Sequence, residues 1–294
     1  MPEAVPGGVL LEGDCLELLP TLAADPFDLA YVDPPFNAGG VRGARRGQGD
    51  RAQGDAAYRD AWGGLDAFLE MLEPRLAAIR DVLTPSGSLW LHLDYRTVHD
   101  AKVLADRVFG RARFRGEVVW VPGNGARGKR GPSVTHQTIL VYARGRDMIY
   151  NADDPALREP FADTSLSMHF KNVDADGRRY RERTIGKNTY RYYADEGRRR
   201  GSVWSDCPAM LANTPLNPET TGYPTQKPEK LLERILKAAS LPESRVLDPM
   251  CGSGTTLAVA QRLDRRFAGI DQSPLACGVA RERLTRNASR PRAG

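Results

Sequence analysis

The chain has 294 residues, 41% hydrophobic and 27% charged, a balance that supports a full core and excludes wholesale disorder. Its four cysteines, Cys15, Cys207, Cys251 and Cys277, form no CxxC pair, which argues against a zinc cluster or disulfide framework and fits a reducing cytosol. The formal net charge is +5, with basic residues crowded into 41–59 and 177–200. Such a surface either meets a polyphosphate partner or is a solvated basic face.

The opening MPEAVPGGVLLEGD lacks the basic region and long apolar stretch of a signal peptide. No run approaches the roughly 20 apolar residues of a membrane span, so a soluble, cytoplasmic protein with no membrane partner is expected. GGVLLEGD reads as a short strand ending at Asp14, followed by a brief helix, CLELLPTL. FDLAYVD is a near-continuous apolar strand, as expected when both faces of a sheet are covered. It must stop at Asp33, because Pro34 and Pro35 cannot donate to a ladder. Asp33, Pro34, Pro35 and Phe36 are left as a stiff rim at the strand's carboxyl end, where open α/β sheets bind ligands.

Residues 37–64 are too polar and glycine-rich for regular structure. LDAFLEMLEPRLAAIRDVL has helical spacing with a bend expected at Pro74. TPSGS makes a turn, SLWLHLD a buried strand, and YRTVHDAKVLADRVFG a helix ending at Gly110. FRGEVVWV and HQTILVYAR form a strand pair around a glycine-rich loop. This alternation predicts a doubly wound α/β sheet. Residues 148–222 break the pattern: they are polar, rich in tyrosine and arginine, and read as a separate module or insertion. Order resumes with the amphipathic KPEKLLERILKAAS, the strand SRVLDPM, a glycine turn into a helix, the strand RFAGIDQS and a last helix.

Three stretches carry chemistry. In VLDPMCGSGTT a strand ends at Asp248, and Gly252 and Gly254 permit close backbone approach to a ligand. The spacing is not GxGxxG and there is no P-loop lysine, so a dinucleotide or triphosphate is disfavoured while a nucleoside remains, beside a purely structural turn. Asp271 ends the following strand, placed to accept ribose hydroxyls or to cap a helix. In DPPF, Asp33 and the Pro34 carbonyl are acceptors for an exocyclic amino group and Phe36 is a stacking face, as a flipped base is held. Alone, the same four residues are a rigid turn with Phe36 in the core.

Taken in order, DPPF, TGYPTQKPEKLLERI, VLDPMCGSGTT and FAGIDQSPLACGVARERL resemble the amino-methyltransferases of DNA, in the β arrangement with the catalytic motif before the cofactor motif. The resemblance implies a mostly parallel, Rossmann-like sheet with an inserted target-recognition module. Residues 1–147 would be the catalytic half with a mobile loop at 37–64, 148–222 the recognition module, and 223–294 the cofactor half.

The implied catalytic residues are Asp33, Pro34, Pro35 and Phe36, and the implied cofactor is S-adenosylmethionine. Its adenine falls to Asp14 and Cys15, its ribose to Asp271. Its methionine part falls to Asp248, Met250, Gly252 and Gly254, bordered by Thr225, Gln226 and Lys227; Asp33, Pro249, Cys251, Ser253, Thr255 and Gln272 are further implied cofactor-binding residues. Met250 stands where the family often has an aromatic. An acid at Asp33 points to adenine N6, whereas serine there favours cytosine N4; cytosine N4 and an RNA base are the alternatives.

Duplex DNA is the implied partner, together with a homodimer and a cognate restriction endonuclease. The implied DNA contacts are Arg42, Arg45, Arg46 and Arg51, then Arg127 and Lys129, then Arg178, Arg179, Arg181, Arg183, Lys187, Arg198, Arg199 and Arg200. Cys207 in SDCPAM has the Cys-Pro dipeptide of a C5-cytosine enzyme without its surrounding order, and reads as structural. A DNA-binding module with an inactive methyltransferase fold is disfavoured, because every expected catalytic position is filled.

Overall fold

The computed structural model describes residues 3–36, 41–43, 56–59, 63–123, 125–126, 128–210 and 219–289, the short stretches 41–43 and 56–59 as backbone. The chain divides into two compact units, Met1–Tyr150 with Ser202–Gly294, and Asn151–Gly201. The first unit begins with β1 (Glu3–Val5), β2 (Gly8–Glu12), α1 (Cys15–Leu18), β3 (Phe27–Val32), β4 (Val41–Gly43) and β5 (Ala56–Arg59). It continues with α2 (Leu65–Asp81), β6 (Leu83–Leu93), α3 (Val98–Phe109), β7 (Phe114–Trp120) and β8 (Gln137–Ala143). The second unit holds β9 (Arg158–Glu159), α4 (Asp163–His169), β10 (Asn172–Val173), β11 (Arg179–Ile185), β12 (Asn188–Tyr193) and β13 (Arg198–Arg199). The chain then returns to the first unit with β14 (Val203–Trp204), α5 (Glu229–Ala239), β15 (Arg245–Asp248), α6 (Thr255–Arg262), β16 (Arg266–Asp271) and α7 (Pro274–Ala288).

Among the described residues nine strands form one sheet in the order β1-β2-β16-β15-β3-β6-β8-β7-β14. The centre, β2-β16-β15-β3-β6, is parallel throughout, and β8 runs antiparallel to both neighbours. Side chains alternate across the sheet. Ala30 and Val32 of β3, with Leu89, Leu91 and Leu93 of β6, join one core with Phe68, Leu72, Leu76 and Ile79 of α2 and Ala101, Leu104 and Ala105 of α3. Leu29 and Tyr31 of β3, with Trp90 and His92 of β6, alternate with that set and are equally buried. α5, α6 and α7 pack together in series, α5 against β3 and α6 against β15 and β16. This is the doubly wound sheet expected from the sequence. No helix of the described residues is long and apolar enough to cross a membrane.

Chain order reverses between β15 and β3, which lie side by side with Val246 opposite Leu29 and Leu247 opposite Ala30. From β15 the chain steps to β16 on one side; from β3 it steps to β6 on the other. The carboxyl ends at such a switch point diverge into a crevice. Asp33 follows β3, Asp248 ends β15 and Asp271 ends β16, so three separate motifs deliver an acid to one rim.

The structure departs from sequence expectation in four places. β1 and β2 form an antiparallel hairpin through Gly7, whose φ of 95° suits glycine. The three residues EAV are too short to show alternation, and β1 is missed. Within 37–64, expected to be irregular, β4 and β5 pair antiparallel. TPSGS, expected as a turn, lies inside β6, where the pairing with β3 shifts register between Phe27 and Leu29 and absorbs the extra residues. The second unit is narrower than 148–222, because β14 pairs parallel with β7, Val203 opposite Val119 and Trp204 opposite Trp120. By itself, that unit carries the hairpin β11–β12 with β10 on its edge, around a cluster of Phe161, Phe170 and Arg181.

Candidate active site

A cavity of about 770 Å³ opens at the switch point. Asp33, Pro34, Pro35 and Phe36 form part of its wall, as do Thr225, Gln226 and Lys227, the run Asp248–Pro249–Met250–Cys251–Gly252–Ser253, and Thr255, Asp271 and Gln272. Cys15 lines it as well. Asp14 is committed elsewhere: it caps α1, accepting from the Leu16 amide at 2.8 Å, and takes Arg75 Nη2 at 2.5 Å. Gly254 serves helix packing, since a Cβ there would lie 2.8 Å from Ala280 Cβ, and its φ of 70° suits glycine.

The glycine loop is organised by the neighbouring strand. Cys251 N–H donates to the Ile270 carbonyl at 2.9 Å, and Gly252 N–H to Asp271 Oδ2 at 2.8 Å. The other Asp271 oxygen accepts Ser273 N–H at 2.9 Å. Beneath the loop, the buried Arg283 of α7 donates to Thr255 Oγ1 at 2.8 Å and to Glu229 of α5 at 2.6 Å, tying three helices together. Thr225 has φ of 57°, a strained conformation for a β-branched residue of the kind that gathers at ligand clamps. Gln226 shapes the same loop, accepting from Thr221 N–H and Oγ1–H and donating to the Glu219 carbonyl.

Lys227 closes the rim. Its Nζ donates to Asp33 Oδ2 and lies 5.0 Å from the Phe36 ring centroid. Next to Phe36, His92 of β6 is fully buried; its Nδ1 meets the Tyr31 hydroxyl at 2.7 Å and its Nε2 meets Gln137 Oε1 at 2.7 Å. Trp120 sets its edge on the same imidazole, with centroids 5.4 Å apart, and donates Nε1–H to the Cys207 carbonyl at 2.7 Å.

Electrostatically the cavity is poor in unburdened negative charge. Burial pushes the Asp248 carboxyl up to about 7, with Asp33 and Asp271 adding to the rise against hydrogen bonds from Thr256 and Met250. Burial also raises Asp271. It lifts the Cys15 thiol to about 11 and Cys251 well above its usual range, so neither is poised as a thiolate nucleophile. Burial, and then the Lys227 ammonium, hold the His92 imidazole well below its ordinary value.

Sequence reasoning missed Tyr31, Arg75, Asp94, Arg96, Trp120, Gln137 and Tyr223, all of which line the cavity, and His92 behind it. The available signal was a polar residue at a core-facing position, as in SLWLHLD, where an apolar alternation has no use for histidine.

The residues expected to contact DNA are mostly engaged within the chain. Arg178 holds Asp195 and Glu196, Arg179 the carbonyls of Leu166 and Phe170, Arg198 and Arg200 hold Glu159, and Arg199 holds Asp153. Arg181 lies 5.2–5.5 Å from the rings of Phe161, Phe170 and Tyr192. Arg183 and Lys187 are exposed at the hairpin end, and Lys129 is exposed. Arg45, Arg46, Arg51 and Arg127, and the side chain of Arg42, lie outside the described residues.

A parallel switch-point crevice edged by Asp-Pro-Pro-Phe, a glycine loop and a strand-end acid is the arrangement that the resemblance to the amino-methyltransferases of DNA implies. A family described as DNA methylase, N6_N4_Mtase, matches residues 27–282, and the chain belongs to it. Similar proteins include the type II methyltransferase M1.MboII of Moraxella bovis, 27% identical across 88% of this chain and 90% of that one. M2.DpnII of Streptococcus pneumoniae is 26% identical across 94% and 89%. M.EcaI of Enterobacter cloacae is 27% identical across 87% of this chain, which spans 64% of that longer protein. In fold, the chain is similar to the M1.HpyAVI–SAM complex, with a TM-score of 0.56 and 19% identity over 94% of this chain and 98% of that one. It is similar too to PvuII DNA methyltransferase (cytosine-N4-specific), with a TM-score of 0.58 and 16% identity over 97% and 92%.

The family's methyl donor is S-adenosylmethionine, and the donor set here fits it. Three carboxyl groups face one cavity, two of them raised by burial, and a ligand carrying a sulfonium and an ammonium supplies the positive charge that favours their ionised forms. Asp271 offers acceptors for ribose hydroxyls beside a glycine loop that allows close approach.

Proposed function

We propose that the protein is a site-specific DNA adenine-N6 methyltransferase. The observation that carries this reading is that Asp33, the Pro34 carbonyl and Phe36 share one cavity with the Asp248–Ser253 loop and Asp271. An exocyclic amine is a poor nucleophile because its lone pair is delocalised into the ring. Asp33 and the Pro34 carbonyl accept its two hydrogens and favour a tetrahedral nitrogen with a localised lone pair, while Phe36 stacks on the extruded base. When bound, S-adenosylmethionine supplies an electrophilic methyl on sulfur. The N–C bond forms as the S–C bond breaks, and Asp33, already accepting one amino hydrogen, takes the proton the methylated nitrogen sheds. Lys227 holds Asp33 in place.

The acid at position 33 supports adenine. Cytosine N4 is the second reading, because that base presents the same amino group beside a ring nitrogen acceptor. In this proposal Arg183 and Lys187 of the unit 151–201 meet phosphates of duplex DNA. The protein acts in the cytoplasm as a homodimer, beside a restriction endonuclease of the same specificity. Incubation with unmethylated DNA and methyl-labelled S-adenosylmethionine, followed by digestion to nucleosides, tests the reading. Label in N6-methyl-2′-deoxyadenosine is expected; label in N4-methyl-2′-deoxycytidine overturns the base, and no label overturns methyl transfer to DNA.

A further inference from the structure

Gln137 is the first residue of β8, the antiparallel neighbour of β6, and its side chain lines the cavity that Phe36 and Trp120 also line. Its Oε1 faces His92 Nε2 at 2.7 Å, and the Tyr31 hydroxyl meets His92 Nδ1 at 2.7 Å. Burial keeps His92 neutral, so the ring offers one N–H and one acceptor nitrogen. With the Tyr31 hydroxyl donating to Nδ1, the ring proton sits on Nε2 and is donated to the Gln137 oxygen.

The relay Tyr31–His92–Gln137 crosses three adjacent strands, β3, β6 and β8. Tyr31 and His92 are 2% and 0% exposed. Three polar side chains at core positions are costly unless fully paired, and here two of them are paired only with one another and with Gln137. Tyr31 and Gln137 both line the cavity, but Tyr31 is buried with its hydroxyl on His92, whereas Gln137 is half-buried and, with its oxygen committed to His92, presents two N–H donors. Among the described residues no side chain takes them.

The residues nearest this amide set what it meets. The His92 ring lies 6.0 Å from Phe36 and 5.4 Å from Trp120, centroid to centroid, so Gln137 borders the aromatic end of the cavity. On the proposed reading that end holds the extruded base, with its amino group on Asp33 and Pro34. A base so held offers an acceptor directly beside the amino group: N1 in adenine, N3 in cytosine. Asp33 and the Pro34 carbonyl only accept; a donor for that ring nitrogen must come from elsewhere.

We infer that Gln137 is a base-binding residue whose amide N–H, oriented by the Tyr31–His92 relay, donates to the ring nitrogen beside the reacting amino group, N1 of the target adenine. The inference rests on the methyltransferase reading above. It adds a contact that the amino-group acceptors alone do not supply: a donor to the acceptor nitrogen next to the amine.

The test is a cycle between Gln137→Met, which keeps the side-chain volume, and a duplex carrying 1-deazaadenine at the target position, the site first being mapped by modified-base sequencing. The 1-deaza base changes the amine's own reactivity, and the cycle cancels that change because both proteins meet it. Wild type should lose about 10- to 100-fold in kcat/KM on 1-deazaadenine, and Gln137→Met a similar factor on adenine. On 1-deazaadenine, where wild type lacks the contact too, Gln137→Met should differ from wild type by no more than about 3-fold. The same coupling is expected in equilibrium binding of the two duplexes, read by fluorescence anisotropy without turnover. Calorimetric binding of S-adenosylmethionine, unchanged in Gln137→Met, shows that the variant is folded.

Independent, multiplying losses overturn the inference, as does a wild type indifferent to 1-deazaadenine, which needs no variant to observe. These results leave the methyltransferase reading intact, provided wild type labels adenine. A wild type that labels no adenine removes that reading, and this inference with it.

Discussion

Lys227 at the start of α5 donates a hydrogen bond to Asp33 at the end of β3, across 194 positions of sequence, and the same ammonium lies 5.0 Å from the Phe36 centroid. One cation therefore touches both ends of the Asp-Pro-Pro-Phe rim. The two side chains are largely out of solvent, Lys227 at 9% exposure and Asp33 at 20%, so the pair is screened less than a surface ion pair. It links the strand that bears the acid to the helix whose entry loop borders the glycine turn.

Removing that cation should loosen Asp33 without emptying the cavity. Lys227→Met is expected to lower the single-turnover rate of methyl transfer by about 10- to 100-fold. Lys227→Arg should fail to restore it, since a planar fork cannot replace a point charge at both Asp33 and Phe36. Rapid-quench kinetics with saturating cofactor make the measurement.

Asp33→Ala should be more severe on chemistry and milder on binding. Loss of transfer by about 1000-fold or more is expected, with S-adenosylmethionine affinity within about 5-fold of wild type by calorimetry. Equal loss of both would give Asp33 a role in holding cofactor alone.

Asp248 makes stability depend on pH in a direction opposite to that of a salt-bridged acid. Its carboxyl is raised from an ordinary 3.8 to about 7 in the folded protein. Between those values the folded state keeps a proton that the unfolded chain has lost, so stability falls as pH rises from about 4 to about 7. The loss amounts to at most about 4 kcal/mol. Asp248→Asn should flatten this slope and stabilise the unliganded protein above pH 7. Urea midpoints taken from pH 4.5 to 8 test it; a wild-type profile that rises with pH across this window would contradict the assignment.

Much of this architecture is legible in the sequence because it is local. FDLAYV, the end of SLWLHLD and RFAGID are buried on both faces and show as apolar runs, and the turn after Asp248 announces itself by two glycines, both at positive φ. What escapes is non-local. Nothing near Lys227 reveals that its partner is Asp33, nor does anything near Arg75 point to Asp14. His92 and Gln137 gain meaning only when β6 and β8 lie side by side, 45 positions apart in sequence. The arginines of 178–200 are legible only as a composition. It does not show that the hairpin register places Glu182 across from Arg191, or that the following turn supplies Asp195 and Glu196 to Arg178.

That distinction separates two groups of arginines in DNA binding. Arg183→Ala with Lys187→Ala should weaken duplex binding and reduce the slope of log affinity against log salt by about 2. Arg181→Ala, which leaves Phe161, Phe170 and Tyr192 without their stacked guanidinium, should instead destabilise the unit 151–201. Salt titrations of binding and limited proteolysis read the two effects apart.

The central claim is that Asp33 activates the amino group of one adenine in a defined DNA sequence. It is tested most directly by expressing the protein in a host free of DNA methylation and sequencing the modified bases of its genome, with Asp33→Ala in parallel. The account predicts N6-methyladenine at a single recurring sequence for wild type and none for the variant. N4-methylcytosine at that sequence, or modification that survives Asp33→Ala, would contradict it.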